Sequence, residues 1–381
     1  MLRLISTLRN AVSRPTPGIR LGERPRPRVA FMTTVHLNVG DEFIREGIRS
    51  FLDEVIGEYD PFYVHKHDID TLHTPLLDEG ELLQDKFRDA DLIVQAGAPV
   101  YWNFGPHQSY NVGWAKDLWF DRIFQLGPGK PILNIGAGSC QPREDDLAGL
   151  MADPQVVDFA KQAGRACRWT CVRDPLASRF LESIEVEHEL LPCPAFHAAR
   201  RTPGAKITRN VLAVNLMRDA GHHLIKPEND PARWHATVQA VIPRLREKYR
   251  LLFVAHDDAE AQYQRQFARD GEMVFHSNDF RDYLSLYASV TGIFANRVHG
   301  AVAVAGFGRP AVIVGTDSRV GIARPIGIPA VDEADATPDW MDHPYARPGI
   351  RAMEAALPRS DGPARILRPP LRRAASGIIL E

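Results

Sequence analysis

Apolar residues in this chain come in short β-branched runs, each followed by a small or polar turn and then by a stretch of helical period. Runs that are apolar throughout, without alternation, mark strands buried on both faces of a parallel sheet. Arg28 to Thr34 is the first such run. Asp41 to Ile56 follows as a helix, with Ile44, Ile48, Phe51, Leu52 and Val55 on one face and Asp41 and Glu42 at its positive end. Further strands are expected at Ala90–Ala96, Pro131–Gly138, Thr170–Arg173 and Leu190–Phe196, with a helix from Leu176 to Ser183 capped by Asp174. The second half repeats the logic. Val211–Leu216, Leu251–Ala255, Thr291–Phe294 and Ala311–Gly315 read as strands, and Trp234–Tyr249, Phe280–Ser289 and Gly300–Phe307 as helices. Strand, turn, helix, strand in this order predicts an α/β protein with Rossmann-like, doubly wound sheets.

Length and punctuation divide the chain. A chain of 381 residues suits two cores. Residues 200–209 are polar and contain Pro and Gly, so the boundary belongs there. The expected parts are a tail over 1–27, an N-terminal α/β domain over 28–204, a C-terminal α/β domain over 205–338 and an extension over 339–381 that packs back in part.

Composition narrows the function. Hydrophobic residues are 44% and charged residues 25%, ordinary for a soluble globular protein. The net charge of −2 offers no global basic field for nucleic acid. No apolar run is long enough for a transmembrane helix. Residues 1–28 differ from the rest: seven arginines against one glutamate make them +6, which leaves −8 on the other 353 residues. A disordered tail, a transit peptide and a peripheral membrane contact all fit that composition. Four scattered cysteines, Cys140, Cys167, Cys171 and Cys193, read as buried reduced thiols of a cytoplasmic protein. No metal-ligand cluster is evident, and neither a dinucleotide fingerprint nor a P-loop occurs, so no metal or cofactor is expected.

The chemistry collects where strands end. Asn296, Arg297, Val298 and His299 follow one strand and lead into a small-residue helix, where a helix N-terminus favours an anion. If the strand continues through this turn, Arg297 and His299 point the same way. Arg218 and His256 end two other strands of the same half. In the first half, His36, Asn38, Gly40 and Asp41 occupy the turn before the first helix, and Arg173 precedes Asp174 at another. Tyr101 and Trp102 open an aromatic stretch that either stacks on sugar rings or pins a long loop.

Three of these segments carry a family resemblance. Arg297-Val298-His299 with its small-residue helix and Pro-Val strand resembles the signature of the polysaccharide pyruvyl transferase family. Asn38-Val39-Gly40-Asp41 resembles its N-terminal element, and Val172-Arg173-Asp174 with Ser178 resembles its V-R-D element. The likeness spans about residues 28 to 330. It departs at Gly97-Ala98-Pro99, where the family has three glycines, which puts backbone–ligand contact by that loop in doubt. The resemblance implies two domains facing across a glycosyltransferase-B-like cleft. It also implies transfer of pyruvate from phosphoenolpyruvate to two hydroxyls of a glycan or lipid-linked oligosaccharide, giving a ketal.

The residues suit that donor. Arg297 and Arg218 supply guanidinium forks for its phosphate and carboxylate, and the turn from His299 through Gly300 supplies the helix end. His299 is the acid/base candidate, and Asp41 or His36 faces it to orient the acceptor. His256, Asn38, Gly40, Arg173 and Trp102 complete the expected substrate contacts. Two other readings stay open: a nucleotide-sugar-dependent glycosyltransferase of the same architecture, and a silent glycan- or nucleotide-binding module.

Overall fold

The computed structural model describes residues 25–33, 38–65, 89–103, 129–204, 206–208, 210–218, 230–315 and 317–333. Two sheets, parallel throughout, organise them. The first holds β1 (Arg28–Thr33), β2 (Asp60–His65), β3 (Leu92–Ala96), β4 (Pro99–Tyr101), β5 (Ile132–Ser139), β6 (Trp169–Val172) and β7 (Glu189–Leu190). Its order is β2-β1-β3-β5-β6-β7, with β4 against β5. The second holds β8 (Val211–Asn215), β9 (Arg250–Val254), β10 (Met273–Phe275), β11 (Gly292–Ala295), β12 (Ala311–Gly315) and β13 (Ala330–Asp332), in the order β10-β9-β8-β11-β12-β13. Strand order reverses between β1 and β3 in one sheet and between β8 and β11 in the other. In open α/β sheets such reversals are where ligands bind, beyond the carboxyl ends of the strands.

Helices lie between the strands: α1 (Val39–Val55), α2 (Leu147–Met151), α3 (Pro154–Ala166), α4 (Pro175–Ser183), α5 (Pro231–Arg246), α6 (Asp258–Arg265), α7 (Phe280–Ser289) and α8 (Val298–Gly306). Asp side chains cap α2 to α7, each accepting a backbone N–H in the first turn. The apolar runs are strands because both faces are covered: every residue of β3, β5, β11 and β12 is buried.

Two expectations fail locally. Leu190–Phe196 is not a strand. β7 has two residues, and Pro194 then opens a 3-10 helix through Arg201. The prolines at 192 and 194 lack the N–H a ladder needs. This 3-10 helix joins the domains by packing on both α1 and α8. A Cβ on Gly47 would fall 1.7 Å from the carbonyl oxygen of Pro194, and one on Gly306 2.1 Å from that of Phe196. The turn after β11 is the second failure. Val298 already belongs to α8, so Arg297 is the N-cap residue and His299 a first-turn residue, not alternate positions on a strand.

One apolar cluster crosses the domain boundary, with Phe43 and Ile44 of α1 beside Tyr287 of α7 and Ala301 and Val302 of α8. Phe43 meets Tyr287 and His256 edge-on, centroids 5.9 and 6.1 Å apart. On another side Ser318, opening a 3-10 helix to Ile326, bonds to the first domain. Its N–H donates to the Gln141 carbonyl, its Oγ accepts from the Gln141 N–H, both 2.9 Å, and its Oγ lies 3.0 Å from Ser139 Oγ. Arg324 adds a two-point ion pair with Glu144. The domains therefore close on each other around the strand ends.

Candidate active site

Two asparagines fix the second-domain turn. Asn215, at the end of β8, accepts the Arg297 N–H at 2.9 Å and donates to the Val254 carbonyl at 2.7 Å. Asn296 accepts the Met217 N–H at 3.1 Å and donates to the Val314 carbonyl at 2.9 Å. The turn holds Arg297 against two carboxylates: Nη2 donates to Asp257 at 2.8 Å and Nε donates to Glu260. Glu260 is itself buried and also accepts the His256 N–H at 2.8 Å. The chain's own carboxylates therefore engage two nitrogens of the expected donor fork.

Other expected contacts turn inward too. His256 bonds through Nε2 to Tyr287 Oη at 2.8 Å, and burial, with Arg297 and His276 nearby, holds its pKa well below the usual value. It is a packed neutral histidine. Gly300 lies beside this pair, since its Cβ would be 3.1 Å from Tyr287 Oη. Asn38 spends its side-chain oxygen capping α1, on the Gly40 N–H at 3.2 Å. Trp102 is 4% exposed, which rules out a sugar-stacking platform in this conformation. Arg218 is exposed just beyond β8, and it is not among the arginines that act most strongly on Asp41 or His299. His36 lies outside the described residues, as do residues 1–24 of the tail and the C-terminal extension.

The groups that do converge come from both domains. Gly40 approaches His299 so closely that a Cβ would sit 2.8 Å from Nδ1. Asp41, next along α1, is 5% exposed, and its Oδ2 has no hydrogen-bond partner among the described residues. Burial pushes its pKa up to about 6, against the pull of Arg173, Arg319, Arg297 and Arg45. His299 keeps an open edge, yet its Nε2 is enclosed and lacks a partner among the described residues. Burial first, then Arg173, Arg319, His256 and Arg297, holds its pKa well below the usual value. The partial exposure leaves that direction intact, because the surrounding charge is cationic.

Arg173 is the centre of this arrangement. It is fully buried, and none of its three guanidinium nitrogens has a hydrogen-bond partner among the described residues. Its neighbour Asp174 does not serve it. Asp174 Oδ1 takes Ser139 Oγ at 2.7 Å and the Ala177 N–H at 2.9 Å, and Oδ2 takes the Ser139 N–H at 2.8 Å. Gly138 makes room, since a Cβ there would lie 2.6 Å from Arg173 Nε. Arg319, absent from the sequence reading, joins from the second domain. It pairs with Asp317 through Nε at 2.8 Å and Nη2 at 2.5 Å. Its place just past β12 is the signal that could have found it.

The loop Gly97-Ala98-Pro99 keeps a glycine-like backbone, with φ of +75° at Gly97 and +72° at Ala98. Its carbonyls are taken internally: Gly97 by Gln95 Nε2 at 2.5 Å and Ala98 by the Gly138 N–H at 2.9 Å. All four cysteines are free and buried. Among the described residues no three His, Cys, Asp or Glu gather as a metal site, and no helix is long and apolar enough to cross a membrane.

Two parallel α/β domains that meet around their strand ends define a glycosyltransferase-B-like fold. The chain belongs to the polysaccharide pyruvyl transferase family, whose model matches residues 38–318. No match was found among curated proteins. A Listeria monocytogenes protein assigned as a UDP-N-acetylglucosamine 2-epimerase shares the fold at TM-score 0.50 and 11% identity, over 89% of this chain and 93% of that one. The Staphylococcus aureus MnaA–UDP structure gives 0.47 and 13% identity over 88% and 93%. Escherichia coli heptosyltransferase WaaC with ADP gives 0.36 and 11% over 75% and 86%.

Proposed function

We propose that the chain transfers pyruvate from phosphoenolpyruvate to two hydroxyls of a glycan or lipid-linked oligosaccharide, releasing phosphate and forming a cyclic ketal. The observation that carries this reading is Arg173, a buried guanidinium with three nitrogens lacking partners among the described residues, beside the unpartnered His299 Nε2 and Asp41 Oδ2. A buried guanidinium whose N–H groups lack acceptors is costly, and an anion that brings two-point oxygen geometry offsets the cost. Phosphoenolpyruvate brings a phosphate and a carboxylate on three carbons. Arg173 takes the anion in this reading, Arg319, held by Asp317, adds positive charge at the same site, and Arg297 holds the turn that aims His299.

Two groups handle protons. The methylene carbon must gain one, and two acceptor hydroxyls must each lose one. Asp41, with a pKa of about 6, is poised to give or take a proton near neutrality. His299 is neutral in the empty site because burial and cations depress it. A bound trianion reverses the sign of that field and restores the imidazole's capacity to hold a proton. The buried free thiols suit a reducing, cytoplasmic setting.

The test is phosphate release from phosphoenolpyruvate in the presence of glycan acceptors, with nucleotide sugars as competing donors. Acceptor-dependent release is expected. His299→Asn should lower turnover about a hundredfold, roughly 2.7 kcal/mol, with donor affinity little changed. Turnover of a nucleotide sugar without response to phosphoenolpyruvate would overturn the reading in favour of glycosyl transfer.

A further inference from the structure

A second cavity, of about 500 Å³, opens where α1, β2, α7 and the segment after the domain-joining 3-10 helix meet. Arg45, Arg49, Tyr63, Arg201, Phe280 and Arg281 line it, and Arg173, Arg319, Asp41 and His299 do not. Its cations come from both domains and from the connection between them. Each has a carboxylate on one edge. Glu46, also on the wall, accepts from Arg49 Nη1 at 2.9 Å and from Arg201 Nε at 3.0 Å. Arg201 also pairs with Asp53, Arg45 with Glu42, and Arg281 with Asp279 at 2.8 Å. Four guanidinium groups and the one carboxylate of Glu46 line the cavity, while Glu42, Asp53 and Asp279 are not among its lining residues.

Arg45 shows that the pairing is incomplete. It is 6% exposed and stacks over Tyr63 at 4.1 Å and toward Phe280 at 5.6 Å. Its Nε has no hydrogen-bond partner among the described residues. Arg49 Nε, on the same wall, also lacks a partner among the described residues. Guanidinium forks spread over a cavity this size suit more than one phosphoryl group. The faces of Phe280, Leu284 and Pro203 offer apolar cover to the rest of a ligand.

We propose that this cavity binds a diphosphate ester that bridges the two domains, separately from the donor site. A nucleoside diphosphate and a lipid-linked diphosphate share this chemistry. The experiment is calorimetric titration of the full chain with inorganic pyrophosphate, with ADP, and with phosphatidylcholine vesicles carrying polyprenyl diphosphate. With phosphoenolpyruvate saturating the donor site, Arg49→Gln and Arg281→Gln should each weaken pyrophosphate binding about tenfold or more. The Arg281 side chain is 74% exposed, so its loss tests the cavity without threatening the fold. Tighter binding of ADP than of vesicles identifies a soluble nucleotide, and the reverse identifies a lipid-linked ligand. Either supports the site only if Arg49→Gln weakens it. Absence of saturable binding, or binding removed by Arg173→Gln and untouched at Arg49 and Arg281, overturns the proposal. Because binding is read and not turnover, failure of pyruvyl transfer would leave this result standing.

Discussion

Arg297 and Arg173 each follow the carboxyl end of a strand, one in each sheet, and each forms part of the charge around Asp41 and His299. Their surroundings differ. Arg297 is clasped by Asp257 and Glu260 from the start of α6. Arg173 is more deeply buried and meets no acceptor among the described residues. Taking a guanidinium out of water costs several kcal/mol. The chain offsets that cost at Arg297 and leaves it standing at Arg173. Arg297, held by its own chain, builds the turn, and Arg173, without acceptors among the described residues, is the arginine left for a ligand.

The sharpest way to break this comparison is to remove Arg173. Arg173→Gln should lower turnover about ten-thousandfold, roughly 5.5 kcal/mol, as the anion loses its main clamp. Stability should hold or rise, because a buried guanidinium without hydrogen-bond acceptors is gone. Steady-state rates and thermal unfolding on one preparation check both halves. An active but destabilised variant would make Arg173 a structural group.

Arg297 should behave in the opposite way. Arg297→Ala strands Glu260, whose side chain is 4% exposed, and should cost about 4 kcal/mol in denaturant unfolding. Arg297→Lys keeps the charge but not the fork, and should recover part of that loss. Full stability in Arg297→Ala would erase the contrast with Arg173.

The fold was largely legible because parallel strands covered on both faces read as unbroken apolar runs, and Asp residues mark helix starts. β2 escaped because Asp60-Pro61 heads an edge strand, where a missing N–H is tolerated. β10 escaped because three residues at the opposite edge carry little periodicity. The site was half legible. Position at a strand end pointed to His299, Asp41, Arg173 and Arg297 alike. Which arginine faces a ligand depends on partners far away in the chain, since Glu260 reaches Arg297 across 37 residues. Spacing within a motif carries no record of that pairing. Arg319 was missed although Asp317-Ser318-Arg319 obeys the same strand-end rule, because no motif marked it.

Asp41 tests the same contrast through pH. Its pKa rises from 3.8 to about 6 on folding. Between those values the folded state holds a proton that the unfolded state has lost, so stability falls as pH rises through this window and stays low above it. The shift amounts to about 3 kcal/mol at pH 7. Asp41→Asn should recover stability of that order at pH 7 and nothing below pH 4, with loss of turnover. His299 has the opposite sign. Its depressed folded pKa makes stability fall as pH drops below the unfolded value of 6.5. Unfolding of the variant across pH 4–7 therefore separates the two. An unchanged slope between pH 4 and 6 would remove Asp41 from the set of uncompensated groups.

The smallest expected effect lies at Ser318, which joins the satisfied half of the site to the unsatisfied one. Its hydroxyl accepts the Gln141 N–H at 2.9 Å and lies 3.0 Å from Ser139 Oγ, whose partner Asp174 adjoins Arg173. Ser318→Ala keeps the backbone bond from Ser318 N–H to the Gln141 carbonyl but strands the Gln141 N–H, in a residue with no exposed surface. An unsatisfied buried donor costs about 1–2 kcal/mol. The bond spans the domains, so the loss falls on the closed arrangement that brings Arg319 and His299 to Arg173. Donor KM should rise several-fold while kcat changes little, since the variant lowers the closed population without touching a reacting group. Arg173→Gln should show the reverse division, with kcat lost and stability kept. If Ser318→Ala leaves both stability and donor KM unchanged, the serine contact does not hold the domains together, and closure rests on the apolar packing around Phe43.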